Sequence, residues 1–234
     1  MPNVLAASTS DGQSILDDEK GVSLTKISPN VWMHTSIGIV DGEKIPANGL
    51  ILATSQGLVM IDTPWDDDLT EQLFTLVKKQ FPHKKVTDAI VTHSHDDRIG
   101  GIKTLYNKGV NVHSTELTAD FAQQRGFERP LGDLKKVANL KFGHLKIQTF
   151  YPGKGHTEDN IVVWLPQEHI LFGGCLIKSL ETAEIVQTPG SFVNEWPKSV
   201  QKVMKKYNQI EQVIPGHGNP GNEQLLDHTI DLLQ

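Results

Sequence analysis

The apolar positions of the chain change period several times, and each change marks an element. Val31 to Val40 and Gly49 to Ala53 read as strands around an Asp41-Gly42 turn, and Leu58-Val59-Met60-Ile61 is a short apolar run halted at Asp62. Three aspartates, Asp66 to Asp68, then precede Leu69, Leu73, Leu76 and Val77, which is helical spacing with acid at the positive end of the helix dipole. Val86 to Val91 predicts a buried strand, followed by a polar turn and a glycine pair that enters another helix. The second half repeats this logic. Ile161 to Leu165 and Ile170 to Phe172 read as strands, Val200, Val203, Met204 and Tyr207 mark a helix opened by Pro197, and Val213-Ile214 runs into Pro215-Gly216-His217-Gly218. Alternating strands and helices in two β-rich halves predict an α/β protein: two sheets packed face to face with helices outside, an αβ/βα sandwich.

Residues 1–21 are polar with little periodicity and read as a flexible N-terminal segment; residues 22–234 are long enough to form a single domain. Within the segment, Val4-Leu5-Ala6-Ala7-Ser8 matches the small-residue tail of an export signal, which would place the protein in the periplasm or outside the cell. No apolar run approaches the ~20 residues needed to span a bilayer. A net charge of -6 with scattered Lys and Arg offers no stripe for a phosphate backbone, so nucleic acid is not expected as a partner. A monomer acting on a small molecule is expected. Cys175 is the single cysteine, which excludes an intramolecular disulfide and leaves either a buried small apolar residue or a chemically used thiol.

The candidate chemistry lies on turns at strand ends. Thr92-His93-Ser94-His95-Asp96-Asp97-Arg98 puts two imidazoles and two carboxylates beside an apolar strand, and alternate residues of extended chain point the same way, so His93, His95 and Asp97 can converge. His156 follows Pro152-Gly153-Lys154-Gly155, Cys175 follows Gly173-Gly174, and His217 lies in Pro215-Gly216-His217-Gly218. Each turn alone is weak evidence. Together they allow a neutral three-nitrogen site of His93, His95 and His156 that suits zinc with an open fourth position, and a second site of Asp97, Cys175 and His217. His34, His83, His113, His144, His169 and His228 fall outside this pattern and read as surface or core residues.

From roughly Val22 to its C-terminus the sequence resembles the metallo-β-lactamase superfamily, whose mark is a His-x-His-x-Asp turn followed by separate His, Cys or Asp, and His ligands. Arg98 after Asp97, Cys175 in Gly-Gly-Cys-Leu-Ile-Lys, and the terminal Pro-Gly-His-Gly resemble subclass B1 in particular. Thiolester and phosphodiester hydrolases of the fold, such as glyoxalase II, have His and Asp where Arg98 and Cys175 stand.

The resemblance implies a zinc-dependent β-lactamase that confers antibiotic resistance, with two Zn2+ per chain held by His93, His95 and His156 and by Asp97, Cys175 and His217. It further implies that Asp97 serves catalysis, that Lys178 binds the substrate carboxylate, and that Trp65 walls the site beneath a flap formed by the hairpin at Ile37 to Val40. Asp62 and Asn160 are expected to support the metal loops. An Asn common near the substrate carbonyl in the family is replaced here by Gln187. The alternative activity is hydrolysis of a thiolester or lactone.

Overall fold

The computed structural model describes residues 14–17, 21–186 and 190–234. Among them, one sheet takes its strands in chain order: β1 (Ser14–Asp17), β2 (Val22–Lys26), β3 (Val31–Val40), β4 (Glu43–Ala53), β5 (Leu58–Ile61), β6 (Val86–Ile90), β7 (Asn111–Thr115) and β8 (Leu131–Leu134). The strands from β1 to β5 pair antiparallel, whereas β5 to β8 pair parallel. Parallel pairing requires crossovers. Those crossovers carry α1 (Asp67–Gln80), the short α2 (Asp96–Ile99) with α3 (Ile102–Asn107), and α4 (Glu116–Gln124).

The second sheet has the order β13 (Gln212–Pro215), β12 (Ile170–Gly174), β11 (Val162–Leu165), β10 (Leu145–Phe150) and β9 (Val137–Phe142). Only β12 and β13 pair parallel, across a crossover that includes α5 (Trp196–Lys206), and α6 (Gln224–Asp231) follows β13. Both sheets are therefore mixed, as the αβ/βα sandwich requires.

The strand period of two explains how these layers adhere. In β4, Leu50 and Leu52 enter the core between the sheets, while Ile51 and Ala53 join the core shared with α1. Val59 and Ile61 of β5 face the first of these cores and Leu58 and Met60 the second. Across the seam, Val163, Leu165, Ile170, Phe172 and Ile214 fill the inter-sheet core, and Val162, Trp164, Leu171 and Val213 turn outward onto α5 and α6. Strands covered on both faces lose polar alternation and read as continuous apolar runs.

Local signals act as the sequence predicts. Asp41 and Gly42, at φ 51° and 86°, close β3 onto β4 in a two-residue turn of the kind that requires positive φ at both positions. Asp66 caps α1 by accepting a hydrogen bond from Leu69 N at 2.7 Å. The N-terminal edge differs from the expected onset near Val22, because Ser14–Asp17 forms an antiparallel strand with β2. Four residues joining an existing edge need no alternating pattern of their own. The Val4 to Ser8 stretch lies outside the described residues.

Candidate metal centre

The cluster forms where β5, β6, β12 and β13 all end. Asp62, just after β5, has φ 58°, a backbone that L residues rarely adopt, and both its carboxyl oxygens are engaged: Oδ1 accepts from Thr92 N at 2.7 Å and Oδ2 from Thr92 Oγ1 at 2.8 Å. This buried carboxyl fixes the start of the turn that carries His93 and His95. The next segment departs from the extended geometry expected of it. Helix α2 begins at Asp96, so Asp97 reaches the cluster from a helical turn rather than by strand alternation.

His156 arrives from the loop before β11, whose shape is held by Asn160, with Oδ1 accepting from Thr157 N and Nδ2 donating to Gly153 O, both at 2.9 Å. Ile161 N also donates to Thr92 O at 3.0 Å, which ties this loop to the His93 turn. Cys175 and His217 come from the parallel ends of β12 and β13. Gly216 is required there, since a Cβ would lie 2.8 Å from Cys175 Sγ and from its backbone N.

Two triads of ligating atoms result. His93, His95 and His156 offer nitrogens within 4.8 Å of one another, with His95 Nδ1 and His156 Nε2 3.1 Å apart. Asp97 Oδ2 lies 3.1 Å from His217 Nε2 and 3.5 Å from Cys175 Sγ, and that sulfur is 3.3 Å from His217 Nε2. His93 also stands within 4.8 Å of the Asp97 and Cys175 ligand atoms, so it sits between the triads. Each of the six residues expected from the sequence is thus brought to one place.

The electrostatics suit a cation. Burial, reinforced by the neighbouring imidazoles, holds His93 well below its ordinary pKa; burial and then Lys178 do the same for His156. Burial also lowers His95, against Asp97. Neutral imidazoles present lone pairs, and His93 Nε2 is buried with no hydrogen-bond partner. Burial would raise Asp97, but Arg98 and then His217 outweigh it and keep the carboxylate well below its usual range. Burial opposes a charged His217, yet Cys175 and Asp97 push its pKa up to about 9. Its Nδ1–H donates to Pro46 O at 2.7 Å, which turns Nε2 toward the site. An orphaned nitrogen among neutral imidazoles, beside a carboxylate and a thiol, is a donor set that fits zinc.

Arg98 lies beneath the second triad and is fully buried. It donates to Asp97 Oδ2 from Nε at 2.9 Å and from NH2 at 2.6 Å, to Gly216 O at 2.9 Å, to Asp62 Oδ2 at 3.4 Å, and to Asn48 O. Asn48 was not singled out by sequence, since it stands just before the apolar run of β4 and no local pattern marks it. Its side chain donates to Pro215 O at 3.1 Å and Gly218 O at 2.8 Å, and its backbone N to Gly216 O at 2.8 Å. It clamps the loop that carries His217.

Lys178 is half-buried with its ammonium 5.3 Å from the Trp196 ring centroid; burial lowers its pKa, while Cys175 and Asp97 act to hold it up. Trp65 packs on the backbone of Gly38 in β3, where any Cβ would overlap its ring, and its centroid lies 6.4 Å from that of His217. Ile37, Ile39 and Val40 are exposed at 38%, 64% and 41%, so they do not pack down on the sheet. Gln187 lies outside the described residues. Among the other histidines, His34 is buried in β3 with Nε2 donating to Asp62 O at 3.1 Å, and His113 is bound between Asp88 and Asp133.

Comparisons with known proteins agree with this geometry. Residues 43–217 match the model of the metallo-beta-lactamase superfamily. The chain is 52% identical to a metallo-beta-lactamase type 2 of Bacillus cereus over 99% of its own length and 90% of that protein, and 36% identical to one of Bacteroides fragilis over 89% and 84%. A solved metallo-beta-lactamase from Pontibacter korlensis superposes with a TM-score of 0.88 at 38% identity, covering 91% of this chain and 99% of that one. One from Pseudomonas aeruginosa, solved in a mono-zinc form, gives 0.82 at 32% identity over 91% and 94%.

Proposed function

We infer the reaction from the premise that this chain belongs to the metallo-beta-lactamase superfamily, in which it is most like subclass B1: it is a metal-dependent β-lactam hydrolase. The observation that carries this reading is the convergence of six ligating side chains on one rim, with His93 Nε2 buried and unpartnered among them. We assign two zinc ions per chain, one to His93, His95 and His156 and one to Asp97, Cys175 and His217. A zinc form of a relative at 32% identity supports the choice of metal. Zinc bound in such sites supplies Lewis acidity and lowers the pKa of water toward neutrality.

The chain's own groups then have defined tasks. Hydrolysis adds a water oxygen to the lactam carbonyl carbon, breaks the C–N bond and leaves a proton on nitrogen. Asp97 Oδ2 is committed to Arg98 and His217, so Oδ1 is the oxygen that orients the attacking water. Lys178 holds the substrate carboxylate by charge. Trp65 and the exposed Ile37, Ile39 and Val40 give the apolar part of the substrate a wall and a cover.

We treat residues 22–234 as one domain, because the inter-sheet core draws Leu50, Val59 and Ile90 from one half and Val163, Phe172 and Ile214 from the other. Export to the periplasm or the medium follows from the reading of Val4 to Ser8, and antibiotic resistance from the activity. No helix among the described residues is long and apolar enough to cross a membrane. The thiolester or lactone reading is not favoured, since relatives covering nearly the whole chain are named β-lactamases.

Turnover of a chromogenic cephalosporin, lost on chelation and restored by added zinc, is the expected result. Turnover of thiolesters or lactones in preference to every β-lactam tested would overturn it.

A further inference from the structure

Helix α5 opens on Trp196, which is fully buried although it borders the metal centre. Its indole N–H donates to Leu176 O at 2.7 Å, one residue beyond Cys175, and this bond fixes the orientation of the ring. The His156 imidazole packs against that ring with centroids 5.7 Å apart and planes inclined at 63°. The loop before His156 lies directly upon it: a Cβ at Gly155 would stand 3.2 Å from Trp196 Cδ1 and 2.5 Å from Leu176 Cδ1, so glycine permits the close approach. Phe192 completes the frame, since its N donates to Gly155 O at 2.7 Å and its O accepts from Trp196 N at 2.9 Å.

The same ring lies 5.3 Å from the Lys178 ammonium, within the range at which an aromatic face attracts a cation, and indole does so more strongly than the other side-chain rings. The backbone beneath that side chain is held at two points. Leu176 O accepts from the indole, and Lys178 N donates to Thr229 Oγ1 at 2.8 Å, which is itself anchored on α6 by donating to Leu225 O at 2.7 Å. What remains adjustable is the four-carbon stem of the lysine, a flexible chain with many rotamers. A face that attracts the ammonium selects among those rotamers. Because His156 packs on the same rigid ring, the selection also sets where the ammonium stands relative to that imidazole.

We propose that Trp196 is a positioning residue for hydrolysis: its ring holds the Lys178 ammonium in register with His156, so that the substrate carboxylate is bound where the lactam carbonyl meets the first triad. The proposal rests on the β-lactam reading and on the assignment of Lys178 to the carboxylate. A ring that merely filled the core beside Leu176 and Val200 would not distinguish a charged substrate from an uncharged one.

A β-lactam and its methyl ester test it in the zinc-loaded enzyme. Trp196→Leu should lower kcat/KM for the acid about 5-fold more than for the ester, mainly through KM, whereas Trp196→Phe keeps an aromatic face and should lose about 2-fold at most. In a Lys178→Met background, Trp196→Leu should affect acid and ester alike. Equal losses for the two compounds when Lys178 is present, or a difference that persists without it, overturn the proposal. A second readout needs no turnover and holds even where Trp196→Leu fails to fold. With the lysine ε-carbons labelled, the ε-protons of Lys178, identified by their loss in Lys178→Met, should resonate upfield of their position in an unstructured peptide, because the ring shields them. Trp196→Phe should keep part of that shift. A Lys178 resonance at the unstructured position in the wild-type protein overturns the proposal. If neither acid nor ester is hydrolysed, the activity reading falls, and the resonance alone decides whether the ring holds the ammonium.

Discussion

Replacing His34 with Asn should remove part of the acid sensitivity of the fold. The imidazole is buried in β3, Nε2 donates to Asp62 O at 3.1 Å, and Nδ1 has no partner. Burial lowers its pKa from 6.5 to about 4, against the opposing pull of the Asp62 carbonyl. The unfolded chain therefore takes up a proton near pH 6.5, while the folded chain does so only near pH 4. This contribution to stability is complete above pH 6.5 and is lost as pH falls toward 4. The full loss is roughly 3 kcal/mol, of which about 2 kcal/mol falls between pH 7.5 and 5. Asn retains an N–H for Asp62 O and does not titrate, and the packing lost with the ring costs the same at every pH. Urea unfolding of zinc-free wild type and His34→Asn at pH 7.5, 6 and 5 gives the comparison. The lowered pKa values of His93, His95 and His156 are common to both proteins and cancel in the difference. The stability gap should move by about 2 kcal/mol in favour of the variant on acidification. Parallel curves would refute the reasoning.

Three further outcomes follow from the geometry. Cys175→Ser should bind one zinc tightly and lose most affinity for the second, because a hydroxyl replaces the expected thiolate; equal weakening of both by competition with a chelating dye contradicts the assigned ligand division. Gly38→Ala should displace the Trp65 ring, changing intrinsic fluorescence and raising KM several-fold with two zincs retained; an unchanged KM removes Trp65 and the hairpin from substrate binding. Asp66→Ala should destabilise α1 by about 1 kcal/mol through loss of the bond to Leu69 N, read as a lower urea midpoint at an unchanged slope, with no effect on zinc content.

Much of the fold was legible because β4, β5, β11 and β12 are buried on both faces and so appear as unbroken apolar runs. Glycine-flanked turns at Cys175 and His217 likewise exposed the site. The strands that escaped the reading, β7 to β10 among them, are short or only half-buried, and β9 alternates between exposed and intermediate positions. Helix α2 was hidden inside a polar turn, and Asp97 therefore reached the cluster by a different path from the one expected. Asn48 and Asp159 were illegible for another reason. Their partners lie 167 and 65 residues away, at Pro215 and Ser94, and no local pattern encodes such separations.

The bonds of Arg98 have a consequence for how the molecule opens. One guanidinium, sealed from water, holds the middle of β4, the end of β5, the start of α2 and the loop after β13. Moving any one of these away strands a charge in a dry seam, which costs several kcal/mol, so they cannot fray separately. The amides of Asn48 and Arg98, which donate to Gly216 O and His95 O, should exchange with deuterium in a single cooperative opening rather than as independent loops. The second triad is then a latch between the two sheets: an ion held by Asp97, Cys175 and His217 would tie the start of α2 to the ends of β12 and β13 and oppose their parting.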